Sequence, residues 1–157
     1  MPTWTGAWSN AEAETYLREA TVPIRLACRT PPGGLWMLSL WYVYRDGSFH
    51  CATRADADVV RYLEADPEIA FEVSEDEPPY RGVRGDGTAS IAPDEDKALL
   101  AELLKRYLGG TDNRTARRLL GGDREEVRIR IDPGRLYTWD FTEQMSDVEQ
   151  KSGSDPD

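Results

Sequence analysis

Residues 35–44, Leu-Trp-Met-Leu-Ser-Leu-Trp-Tyr-Val-Tyr, are ten consecutive positions without a charge in a strongly acidic chain. A strand with one wet face alternates apolar and polar residues; this one is apolar on both. Leu35, Met37, Trp41 and Val43 point one way, and Trp36, Leu38, Leu40, Tyr42 and Tyr44 point the other. One face can enter the chain's own core. The other calls for a partner subunit, a flat ligand, or both.

The remaining composition narrows the function classes. At 157 residues the chain fits one domain with a sizeable core. With 29 acidic against 19 basic residues and a net charge of −10, it is expected to bind neither nucleic acid nor an anionic membrane. Only Lys97, Lys105 and Lys151 are lysines. Many acids with arginine in place of lysine suggest a halophilic source, and a GC-rich genome would also favour arginine. No apolar run reaches membrane-spanning length and no signal-peptide pattern opens the chain, so a cytoplasmic protein is expected. Cys28 and Cys51 lack the spacing of a zinc site or a disulfide framework and are expected to be structural thiols. His50, the sole histidine, is likewise expected to be structural; no metal site is expected.

Punctuation along the chain sets out the elements. Ser9 or Asn10 caps a helix over 11–20, a strand covers 22–29, and Pro31-Pro32-Gly33-Gly34 turns into the apolar strand. Asp46-Gly47 closes a tight hairpin onto a return strand at 48–53. Asp56 or Asp58 caps a short helix ending at Asp66-Pro67, followed by strands at 68–74 and 80–92. Gly82, Gly85 and Gly87 in the latter predict a bulge or a close approach. Helices at 94–108 and 113–120 follow, then strands at 126–131 and 135–141 around an Asp132-Pro133-Gly134 turn. The expected domain spans 1–141, with a disordered tail at 142–157. Hairpins in mixed order exclude a doubly wound parallel sheet and fit a mainly β fold, a closed or split barrel with peripheral helices.

These residues, taken in order, resemble the pyridoxamine 5′-phosphate oxidase-like family of FMN-binding split barrels. The resemblance runs from about Ile24 to Phe141 and rests on Leu40-Trp41-Tyr42, the segment from Phe49 to Thr53, and Asp66-Pro67-Glu68-Ile69-Ala70. Tyr80-Arg81-Gly82-Val83-Arg84 and Thr138-Trp139-Asp140-Phe141 complete it. It implies a six-stranded split β-barrel and a homodimer with FMN in grooves at the subunit interface. One face of residues 35–44 would then line the barrel, and the other would meet the second subunit and the flavin ring.

The resemblance places the flavin phosphate at Ala52, Thr53 and Arg54, where a helix N-terminus begins. Relatives continue with Ser or Arg and then Lys; this chain has Ala57, Asp58 and Val59, with Asp56 before them. Replacement cations are Arg81 and Arg84, which face opposite sides of one strand unless a bulge at Gly82 intervenes, and also Arg61 and Arg25. Ser39, Leu40, Trp41 and Trp139 are the further cofactor-binding candidates; no catalytic acid or base stands out. The expected function is a flavin-dependent oxidoreductase on a small molecule. The alternatives are a deazaflavin-dependent reductase on the same fold and a non-catalytic flavin- or small-ligand-binding dimer. A true pyridoxamine-phosphate oxidase is not expected, because its Arg- and His-containing C-terminal segment has no counterpart in residues 130–141.

Overall fold

The apolar segment is one strand bent across two partners. In the computed structural model, which describes residues 2–146, it divides at Trp41-Tyr42 into β3 (Leu35–Leu40) and β4 (Val43–Arg45). The first part pairs with β2 (Ile24–Arg29), the second with β5 (Ser48–Arg54), both antiparallel. The sheet then runs β3-β2-β6-β7-β8-β5-β4, with β6 at Glu68–Ser74, β7 at Arg81–Pro93 and β8 at Glu126–Asp140. Counting the bent strand once, six strands make a ring, closed between β3 and β4 by the chain itself rather than by a ladder. That gap is the split of the barrel.

Local chemistry explains most elements. Ser9 and Glu12 form a reciprocal capping box that starts α1 (Asn10–Glu19). Asp46 and Gly47 both take positive φ, 52° and 80°, as a two-residue turn between twisted strands requires. Neither predicted cap of α2 (Asp58–Ala65) acts as one: the N-cap is Ala57, Asp56 holds Arg54, and Asp58 holds Arg61. The helix predicted at 94–108 is a single 3-10 turn at Glu95–Lys97 followed by α3 (Ala98–Leu108); α4 is Arg114–Leu120.

Two elements depart from the sequence reading. The first is β1 (Thr3–Gly6), a polar strand that pairs in parallel with β8 at Arg135 to Thr138. The second is the Asp132-Pro133-Gly134 segment, which does not reverse the chain. The two predicted strands are one continuous β8, paired with β7 along its length. The turn chemistry is absorbed by a bulge at Gly85–Gly87, where Asp86 accepts the Arg135 N–H at 3.0 Å and its Nε at 3.1 Å.

Leu26, Tyr42, Phe49, Phe71, Val83 and Ile129 fill the barrel, with α1 and α2 packed against this same core through Leu17 and Leu63. Helices α3 and α4 cover the outer face of β4 and β5, burying Val43 and packing on Trp41 and Ala52. They leave the outer face of β3 bare: Leu35 is 83% and Met37 66% exposed. The second dry face of the apolar strand is therefore half covered from within and half open.

Candidate functional site

Strand register turns the bare face into ordered rows. Thr5, Tyr137, Arg84, Glu72, Arg25 and Ser39 are successive cross-strand partners from β1 to β3. The adjoining row carries Asp86, Ala70, Ala27 and Met37. Because side chains alternate, each row points outward while Leu26, Phe71 and Leu136 between them point into the barrel. The small side chains of Ala27 and Ala70 and the backbone of Gly85 form a floor, and Met37 and Tyr137 stand at its sides. The result is a groove of about 530 Å³.

Its charge differs in sign from the rest of the chain, with Arg25, Arg84 and Arg135 against Glu72 and Asp86. The backbone N–H of Arg135, then its guanidinium, hold the Asp86 carboxyl below the usual carboxylate range. The Arg84 guanidinium lies 4.8 Å from the Tyr137 ring centroid and 5.2 Å from that of Trp139. Such cation–π contacts contribute about 0.5–1 kcal/mol at exposed sites and fix the direction of the side chain.

The predicted cofactor residues do not converge on one place. Ser39, Arg84 and Trp139 share the outer face with the groove. Leu40 packs against the barrel core, and Trp41 lies under α3, stacked on Tyr107 at 5.2 Å with the rings 8° from parallel. Ala52 is covered by α3 and α4, and Thr53 is half-buried opposite Val127. Arg54 is gripped by both oxygens of Asp56, at 3.1 and 3.2 Å. It lines a cleft of about 280 Å³ where Asp56, Asp123 and Glu125 outnumber Arg54 and Arg124. Arg81 and Arg84 do face opposite sides, because the bulge falls after Arg84 and not between them. Arg81 pairs with Glu75 at 2.8 Å and covers the Tyr16 ring, in a cleft of about 560 Å³ beside α1.

Ala27, Ala70, Glu72 and Tyr137 were missed by sequence reasoning. The signal was present as small residues at outward positions of β2 and β6, but its meaning required knowing that no helix covers them. His50 lies on β5 between Val43 and Arg130, outside the groove. Among the described residues, no three His, Cys, Asp or Glu side chains converge to hold a metal, and no helix is long and apolar enough to cross a membrane.

No family model and no curated protein matches the chain. Solved structures do. An F420 reductase superposes with a TM-score of 0.65 at 22% identity, covering 76% of this chain and 92% of its own. A conserved hypothetical protein from Mycobacterium tuberculosis gives 0.71 at 23% identity, covering 96% and 94%. A candidate pyridoxamine 5′-phosphate oxidase from Listeria innocua gives 0.61 at 12% identity, covering 82% and 95%. The chain has the pyridoxamine 5′-phosphate oxidase-like split-barrel fold. At these identities the fold is what is shared.

Proposed function

We propose that the protein is a flavin-binding oxidoreductase that works as a homodimer, with the coenzyme ring laid in the outer-face groove. The observation that carries this reading is the groove itself: a flat floor of Ala27, Ala70 and Gly85, walled by Met37 and Tyr137, beside unpaired arginines. A planar tricyclic ring with an anionic tail suits that combination of small apolar floor and cationic edge. When bound, the flavin would supply hydride chemistry at its central ring. The chain's own residues have simpler tasks. The floor excludes water from one ring face, Tyr137 and Met37 limit sideways motion, and Arg84 and Arg25 orient anionic groups. A second copy would cover Leu35 and Met37, whose burial contributes about 1.5–3 kcal/mol each.

FMN is the leading coenzyme. The deazaflavin coenzyme is a second reading, favoured by the neighbour that is an F420 reductase and by the pairing of Arg54 with Asp56 at the expected FMN phosphate site. Purification from the native source, visible absorbance and mass spectrometry of the released ligand separate the two. A yellow dimer releasing one FMN per chain supports FMN, and the deazaflavin mass supports the second reading. A colourless protein whose unfolding temperature responds to neither coenzyme at high salt overturns both.

A further inference from the structure

Ten arginines of this acidic chain pair with a carboxylate within 4 Å. Among the described residues six do not, Arg18, Arg25, Arg84, Arg106, Arg114 and Arg118; of these, Arg25 and Arg84 stay unpaired although Glu72 is the register partner of both. The Glu72 carboxylate turns along its own strand to accept the Ser74 hydroxyl at 3.0 Å. Two guanidiniums therefore flank a carboxylate that neither engages, on the floor of a groove open to solvent. Their backbones are two strands apart, about 10 Å, a gap that two long side chains can close on one anion. Arg84 is already aimed by Tyr137 and Trp139.

We propose that Arg25 and Arg84 form an oxyanion clamp for a phosphate or carboxylate group bound in the groove. The physical basis is charge-assisted hydrogen bonding from planar guanidinium forks, which match the oxygens of these anions. An anion bridging the two arginines also relieves their mutual repulsion, in a groove where three arginines face two acids. The clamp deepens the reading of the groove as the functional site, yet it makes its own prediction in the absence of any flavin. Its anion has two sources, the tail of the coenzyme or an acidic group of the substrate. Glu72, in register between the two arginines, repels the bound anion too, so the clamp favours a group of low negative charge.

The test titrates inorganic phosphate into the full chain by calorimetry at fixed ionic strength, with chloride as the counter-titrant. Saturable phosphate binding is expected, weakened at least tenfold in Arg25→Ala and in Arg84→Ala but unchanged in Arg61→Ala, which removes the same charge elsewhere. Because phosphate also stabilises proteins through surface exclusion, the arginine variants decide the matter. No phosphate binding beyond chloride, or equal binding in all variants, overturns the clamp. So does loss of the dimer in the arginine variants without loss of phosphate affinity, which would make them seam residues. Parallel titrations with FMN and riboflavin identify the source. If the variants weaken FMN alone, the clamp holds the coenzyme phosphate; if phosphate binding falls and neither flavin is affected, it holds a substrate anion. Flavin binding without phosphate binding refutes the clamp, and phosphate binding without flavin binding refutes the flavin reading while the clamp stands.

Discussion

The Tyr107 hydroxyl completes the corner at Tyr42. It accepts the Tyr42 N–H at 3.2 Å and donates to the Val22 carbonyl at 2.9 Å. Tyr42 is fully buried at the point where the bent strand leaves β2 and has not yet reached β5, so no sheet ladder can serve its N–H. A side chain from α3 takes the place of a strand. Tyr107→Phe keeps the stack on Trp41 but strands that N–H, and is expected to cost about 1–3 kcal/mol in urea denaturation. An unchanged midpoint would show that the corner is satisfied another way.

Asp94 holds the start of α3 across a kink. Its two carboxylate oxygens accept the Leu99 and Leu100 N–H groups, each at 3.0 Å, and Arg128 donates to the same group at 3.0 Å. Asp96 and Lys97 in between adopt positive φ, so no ordinary N-cap is available. Asp94→Ala is expected to lose about 2 kcal/mol, the upper range for a helix cap, and to expose Trp41 as α3 frays. Tryptophan fluorescence followed alongside far-UV circular dichroism reads both effects.

His50 gives stability an acid-side slope. Burial first, then Arg45, Arg130 and Arg128, push its pKa below the ordinary 6.5, against the weaker pull of Asp132. The unfolded chain therefore takes up this proton at higher pH than the folded one. Stability from this group is complete above 6.5 and falls as pH drops from there toward the lowered folded value. Asp132 acts in the same direction further down: the Ser48 hydroxyl, then Arg130, hold its carboxyl low, so protonating it on the acid side removes stability. In His50→Gln the slope just below pH 6.5 should flatten while the more acidic limb remains. A slope unchanged by the substitution would assign it to other groups.

Gly85 is required by proximity. A Cβ there would lie 2.0 Å from the Arg135 carbonyl oxygen, which belongs to the neighbouring strand and cannot rotate away. Gly85→Ala is expected to cost about 3 kcal/mol, the upper end for overpacking, and to disturb the groove floor. Denaturant midpoints of this variant beside Gly110→Ala, where a Cβ meets nothing within 4 Å, isolate the effect.

Much of the ring was legible because its signals are local. The Asp46-Gly47 hairpin, the helix cap at Ser9 or Asn10 and the uncharged run each act within a few residues, and they set out the elements along the chain. What failed was non-local. The strand at Thr3–Gly6 has no apolar pattern, and its partner lies more than a hundred residues away. The Asp132-Pro133-Gly134 segment has turn chemistry that Asp86, on another strand, overrides. The site shows the same division. That Arg81 and Arg84 face opposite sides follows from strand alternation, whereas the sharing of one outer face by Ser39, Arg84 and Trp139, the closure of Arg54 by Asp56 and the cover over Ala52 depend on strand order, α3, α4 and a loop whose positions no spacing rule supplies.

The groove floor allows the flavin reading to be tested apart from charge. Ala70 faces outward from β6 between Ala27 and Asp86, where a larger side chain meets open groove and no core atoms. Ala70→Leu should therefore leave the denaturation midpoint within about 0.5 kcal/mol of the parent, as for a surface substitution. The added branch stands where the flat ring would lie, so flavin affinity should fall at least tenfold. Riboflavin and FMN should lose affinity alike, because the obstruction is to the ring and not to the phosphate. That common loss separates the floor from the arginine clamp, whose variants are expected to distinguish the two ligands if the clamp holds the coenzyme phosphate. Full affinity for both flavins in a folded Ala70→Leu protein would place the coenzyme elsewhere on the barrel.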